Sequence, residues 1–394
     1  MGLLSWLSGK KAADADGARD AAAGDSDAAA GKSAPQGEDA AEAAGLQAEQ
    51  LDVLKRAIES RNGAARIDAA RALLERWQRG DGEAATLLVD RVPALLEDEE
   101  PAARQLGLAA VSLMRKPENL QKHTSAVLAL LADKSGAVRT AAVRAAIKLP
   151  GDVARAQVRA VLTGTDEPMR FDAATGLAQV QDSAALPALV EALHEGIRRQ
   201  EALSALMSLG DAAALPPLGE LWESDEAERI GEFDRTMLAA AMARFGDERG
   251  AAHLAERAAT PGDDRPVAVE WAGRLGVKQA IPALEELSEE EGEPARGAAL
   301  RALGRLKADG AEARLLKVSN DADLADDLRM DAAEGLAEIG SDAALAALRD
   351  LSTAEGELGE VCRDLLAELA AAAAQAAAAE QPTDTKPAGD SSVG

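Results

Sequence analysis

Across residues 48–370 apolar positions recur at helical spacing, and the pattern itself repeats. The clearest unit is a helix with an Arg near its start and an apolar residue ten positions later. It reads VRTAAVRAAIKL from Val138, MRFDAATGLAQV from Met169, ARGAALRALGRL from Ala295 and LRMDAAEGLAEIG from Leu328. Fainter copies start at Ala65, Ala103, Arg198, Asp234 and Asp264. Anchored on the Arg, they fall at positions 66, 104, 139, 170, 199, 235, 265, 296 and 329. A tenth copy, ELGEVCRDLLAEL, has Gly359 in the Arg slot. Spacings run from 29 to 38 residues, as loop insertions between stacked units would produce.

A shorter helix is predicted between successive anchors, as in residues 185–196, 214–224 and 280–291. Pro187, Pro216 and Pro282 fall in its first turn, where a missing N–H costs nothing. Gly210, Gly246, Gly276 and Gly340 follow the last apolar residue of the longer helix, where a left-handed residue ends a helix. The prediction is all-α: a right-handed solenoid of about ten stacked helix pairs over residues 48–370. Disordered ends are expected to flank it. Residues 12–47, rich in Ala, Asp and Gly, lack the periodicity to bury a core, and 371–394 run from an Ala-rich helix extension into a polar tail.

Composition sharpens this picture. Aromatics make up 2% of the 394 residues, with no Tyr, so Ala and Leu carry the apolar content and helices can approach closely. The net charge of -26 is uneven. Residues 51–160 hold 18 Lys/Arg against 14 Asp/Glu, and residues 161–370 hold 20 against 43. So acidic a protein is expected to avoid nucleic acid. The single cysteine, Cys362, excludes an internal disulfide. No apolar run reaches the ~18–20 residues that cross a bilayer. A cytoplasmic, monomeric protein is expected.

The unit apolar–Pro–x–Leu, then Asp, then Val–Arg–x–x–Ala–Ala–x–x–Leu, resembles the HEAT repeat. Its short form is similar to the HEAT-like repeats of bacterial phycobilin lyases. Residues 125–149 carry the match through Asp133, Val138 and Arg139, and residues 279–306 through Pro282 and Arg296. The resemblance implies an armadillo-type solenoid in which the recurring Arg bonds a turn Asp and ties neighbouring units into a ladder. On that basis Asp133, Arg139, Asp166, Arg170, Arg296 and Arg329 are framework residues. It also implies an alternative activity, that of a chromophore-lyase-like enzyme.

Catalytic ingredients are sparse. His123, His194 and His253 lie on three different units and cannot converge on one metal. Glu191 and His194 have the i, i+3 spacing of a di-iron motif, but no second Glu-x-x-His accompanies them. Cys362 has no His within a hundred residues to serve as its base. Asp321, Asp323, Asp326 and Asp327 lack the central Gly and closing Glu of a calcium loop. The expectation is therefore no catalytic, cofactor or metal residue, and a protein-binding scaffold or adaptor with a wide concave surface. Arg66, Arg71, Arg104, Arg139, Arg144 and Lys148, on the second helices of the mildly basic near half, are the candidate partner-binding residues. The strongly acidic far half would suit a different partner. Residues 1–11, with Leu3, Leu4, Trp6 and Leu7 ahead of two lysines, form a short amphipathic segment that could dock weakly on a partner or a membrane surface.

Overall fold

The computed structural model describes residues 50–196, 198–225 and 229–379. The expectations for residues 1–11, the 12–47 linker and the polar tail fall outside the described residues. The described residues fall into two units, 50–56 in the first and those from Ala57 on in the second. In the first, the described residues 50–56 are helical. The second unit carries the repeats and is built from helices alone among its described residues.

In sequence order its first helices are α1 (Gly63–Gln78), α2 (Gly82–Leu96), α3 (Pro101–Leu113), α4 (Pro117–Lys122), α5 (Thr124–Ala129), α6 (Gly136–Lys148) and α7 (Asp152–Val161). Then come α8 (Glu167–Gln179), α9 (Leu186–Glu195), α10 (Arg199–Leu209), α11 (Leu215–Glu223), α12 (Glu232–Arg244) and α13 (Glu248–Ala259). The last are α14 (Arg265–Arg274), α15 (Ile281–Glu289), α16 (Arg296–Leu306), α17 (Ala311–Asn320), α18 (Asp326–Ile339), α19 (Asp342–Leu351) and α20 (Glu357–Ala379).

Every anchor lies on its own helix. The anchored series is α1, α3, α6, α8, α10, α12, α14, α16, α18 and α20, and each member packs on the next. The intervening helices lie against this row and form a second layer. Burial follows from that placement. An anchored helix has neighbours on several sides, so α6 buries Val138, Ala142, Val143, Ala145 and Ala146. The intervening α7 buries only Ala154 and Val158, one stripe at i, i+4 spacing. Pro187, Pro216 and Pro282 stand in the first turns of α9, α11 and α15. Gly210 and Gly340 end α10 and α18 in the left-handed conformation.

The second layer is broken once. Helices α4 and α5 meet at His123, a buried residue that ends the first and opens the second. The last anchored helix, α20, closes the stack with Leu358 and Cys362 in a shared core with Leu336 and Leu348.

Small residues set how closely the anchored helices approach. A Cβ on Gly304 of α16 would stand 2.3 Å from the Gly335 carbonyl oxygen of α18. One on Gly273 of α14 would stand 2.6 Å from Ala302 Cβ of α16. Contacts of this kind need the Ala- and Gly-rich composition.

Candidate binding groove

The anchor arginines join one repeat to the next. Arg104 Nε and Nη2 donate to the two carboxylate oxygens of Asp133, both at 2.8 Å. Arg66 grips Asp98 in the same forked way at 2.7 and 2.8 Å. Arg139 Nε donates to Asp166 at 3.0 Å, and its Nη2 donates to the same oxygen. The remaining nitrogen points home: Arg104 Nη1 donates to the Asp98 and Glu99 carbonyls at 2.8 and 2.9 Å, and Arg139 Nη1 to the Asp133 carbonyl at 3.0 Å. Each guanidinium therefore clamps its own turn and the turn of the following repeat. The hydrogen bonds from Arg66, Arg104 and Arg139 hold Asp98, Asp133 and Asp166 below the usual carboxylate range, against the opposing effect of burial.

Sequence order alone would pair Asp133 with Arg139 and Asp166 with Arg170, inside one repeat. The side chains are wired one repeat earlier, to Arg104 and Arg139. A carboxylate at a helix start also accepts the N–H groups there, as Asp133 does from Ser135 at 2.8 Å, so only its outer edge is free, and that edge faces the preceding repeat.

The ladder changes farther along. Arg170 leaves the series and donates to Glu191 of α9 at 2.9 Å. Arg265 donates to Glu293 at 2.8 Å. Between them Asp264 accepts the buried Thr236 hydroxyl at 2.6 Å and Arg257 Nε at 2.9 Å, a link that sequence spacing did not single out. Arg296 donates to the Ser288 carbonyl at 3.0 Å, and Arg329 to the Ser319 carbonyl at 3.2 Å and to Asp326 at 2.8 Å.

These bonds divide the six candidate partner-binding cations. Arg66, Arg104 and Arg139 are half-buried, and most of their donors are committed to the ladder. Arg71 is exposed and pairs with Asp68 within α1 at 3.4 Å. Arg144 is 67% exposed and reaches Asp172 at 3.2 Å. Lys148 is exposed at the end of α6.

Arg144 and Lys148 line a groove of about 430 Å³ that runs over four consecutive anchored helices. Gln78 enters it from α1, and Gln105, Ala109 and Ser112 from α3. Ala141, Arg144 and Lys148 enter from α6, and Asp172, Thr175 and Gln179 from α8. Helices α3, α6 and α8 thus each present one stripe at i, i+3 or i+4 and i+7 spacing, while α1 contributes Gln78 alone. Leu113 and Ile147 add apolar surface, while the glutamines supply both donors and acceptors. Of the groove residues, only Arg144 and Lys148 carried a sequence signal. The glutamines did not, because an exposed Gln on a helix reads as ordinary solvated surface.

The far half spends its cations differently. Glu270 of α14 accepts from Arg305 at 2.6 Å, Arg274 at 2.7 Å and Arg301 at 3.3 Å. Burial pushes this carboxyl up, and the charges of Arg305, Arg301 and Arg274 outweigh it and hold it below the usual range. Arg301 continues to Asp331, and Arg305 to Glu338 at 3.2 Å. The network crosses α14, α16 and α18.

Among the described residues no three His, Cys, Asp or Glu side chains are grouped to hold a metal ion. Glu191 is engaged by Arg170, and Asp321 accepts the Asp323 N–H at 3.0 Å as a local turn. No helix among the described residues is long and apolar enough to cross a membrane.

Paired helix layers, in-register caps and an inter-repeat Arg–Asp ladder define an α-solenoid of HEAT repeats. Residues 124–206 and 156–232 match the model of HEAT repeats, and residues 328–353 match that of the PBS lyase HEAT-like repeat. HEAT repeats are therefore matched over residues 124–232 and 328–353. Solved structures it resembles include the complex of CpcE and CpcF of phycocyanin lyase from Nostoc sp. PCC7120, at 22% identity, 65% coverage of this chain, 88% of that one and a TM-score of 0.33. A Kap121p mutant aligns at 13% identity over 85% of this chain and 43% of its own, with a TM-score of 0.39. Human deoxyhypusine hydroxylase aligns at 21% identity over 64% of this chain and 97% of its own, with a TM-score of 0.28. No curated protein matches the sequence.

Proposed function

We propose that this chain is a non-catalytic protein-binding scaffold whose primary recognition site is the groove over α1, α3, α6 and α8. The observation that carries the proposal is the groove itself. Its apolar floor offers area to bury, and its amides and cations can fix the orientation of what lies there. Four helices from four repeats build it, and the Arg66, Arg104 and Arg139 clamps hold those helices in register. Preorganisation of this kind lowers the ordering cost of binding.

The test fills the groove. Ala141 lines it and is half-buried, so Ala141→Trp closes the passage without removing a core residue. Affinity purification with the wild-type protein is expected to enrich a discrete partner that the folded Ala141→Trp variant loses. A partner retained in full by the filled variant would place recognition elsewhere.

A further inference from the structure

Four exposed cations are lining residues of the groove or follow one within three positions in the chain. Arg79 follows the groove-lining Gln78, Arg115 and Lys116 follow the groove-lining Leu113, and Lys148 is itself part of the lining. All four are exposed, and among the described residues none of their side chains has a hydrogen-bond or ion-pair partner. They mark the C-terminal ends of α1, α3 and α6, three neighbours in the anchored row. A cation at such an end is favoured by the helix dipole, which explains one lysine or arginine there but not a row left unpaired. At matching ends in the far half, Arg274 and Arg305 are bound to Glu270 and Lys307 donates to the Ile339 carbonyl at 3.4 Å, while Arg244 at the end of α12 stands alone rather than in a row.

Two carboxylates temper the groove's charge. Asp172 faces Arg144, which answers it at 3.2 Å, and the exposed Glu75 lies one turn before Arg79. The balance remains positive in a protein of net charge -26.

From these observations, and resting on the groove being a protein-binding site, we propose that its occupant is an extended acidic peptide segment. Gln78, Gln105 and Gln179 bond its backbone, and Arg79, Arg115, Lys116 and Lys148 bind its carboxylates. An amide side chain offers a donor and an acceptor, so it can hold backbone carbonyl and N–H groups whatever the peptide's side chains. Packed helices lie about 10 Å apart, and an extended strand rises about 3.3 Å per residue. One helix step therefore matches about three residues. Four helices span about nine or ten residues, with acidic residues favoured at three of them, one for each of α1, α3 and α6. A nucleic acid fits less well. Its backbone would run on past the four helices toward residues 161–370, where 43 acidic residues face 20 basic ones.

The experiment is fluorescence anisotropy with the full-length protein and three labelled probes. One is a ten-residue peptide with Glu at three positions spaced by three, at one, four and seven, in an Ala/Ser/Gly background. The second replaces each Glu by Gln, and the third is a ten-nucleotide single-stranded DNA. The Glu peptide is expected to bind at least tenfold tighter than the Gln peptide and the DNA. Its affinity should fall as salt rises, and fall at least tenfold further in the Arg115→Glu/Lys148→Glu variant. These are exposed side chains without partners, so the variant keeps its fold. Equal binding of the Glu and Gln peptides overturns the acidic partner and leaves the groove reading standing. Tighter binding of the DNA overturns the choice of a peptide. Binding of no probe overturns this inference, and the groove reading then rests on the filled-groove purification alone.

Discussion

Arg104 and Asp133 lie 29 residues apart, on successive repeats, and meet in a forked ion pair with both bonds at 2.8 Å. Arg104 is 14% exposed and Asp133 9%, so the pair is shielded from solvent and salt. Truncating Asp133 leaves a largely buried guanidinium unpaired and frees the Ser135 N–H. We expect Asp133→Ala to cost about 2–3 kcal/mol, and Asp172→Ala, whose partner Arg144 is 67% exposed, under about 1 kcal/mol. Hydrogen exchange is the suitable readout, because stacked repeats can open locally. Faster exchange should centre on α3 and α6.

Close helix approach yields a second expectation. A methyl group on Gly304 has no room against the Gly335 carbonyl of α18, and the obstruction is backbone rather than a movable side chain. Gly304→Ala should push α16 and α18 apart and cost about 1–3 kcal/mol by overpacking. Gly82 opens α2 with nothing within 4 Å of its added Cβ, so Gly82→Ala should be neutral or mildly stabilising. Urea denaturation of the two variants side by side separates a packing cost from a general effect of removing glycine.

Nine of the ten anchored helices were legible by an Arg at the start with an apolar residue ten positions on, often followed by Gly; the tenth, α20, keeps the helical spacing with Gly359 in the Arg slot. Asp133 was legible as a framework residue, but its partner was not. Spacing within a repeat cannot tell which neighbour a carboxylate faces; the cap it makes with Ser135 settles that. The groove lies farthest from sequence reach. It depends on Gln78, Gln105 and Gln179 from three repeats being brought together, and no single repeat marks them.

Acidification should act in two stages. His123 and His253 are held below the ordinary imidazole value of 6.5, first by burial, and His253 Nε2 is buried without a hydrogen-bond partner. The unfolded state therefore takes up these protons first, and stability starts to fall as pH drops below 6.5. Asp98, Asp133 and Asp166 sit below the ordinary value of 3.8, so their contribution is complete above that pH and is lost as pH falls through their lower folded values. Thermal melts from pH 7 to pH 3 should show a shallow early decline and a steep late one. His253→Phe, which keeps an aromatic edge against Trp222, should reduce the early decline, with His123 supplying the remainder, and leave the late one unchanged.

Cys362 is fully buried in the last repeat, and burial pushes its thiol above the ordinary range. A thiol-specific chromogenic reagent at pH 8 should react with the native protein at least tenfold more slowly than with the protein in urea. Equal rates would mean that α20 opens readily from the stack.

The most direct measurement uses a photo-reactive residue placed at Gln105, inside the groove, or at Arg155, exposed on α7 in the other layer. Irradiation in cell extract followed by mass spectrometry should give a discrete crosslinked partner from position 105 and none from position 155. Crosslinks that arise equally from both positions, or from 155 alone, would contradict recognition through the anchored-helix groove.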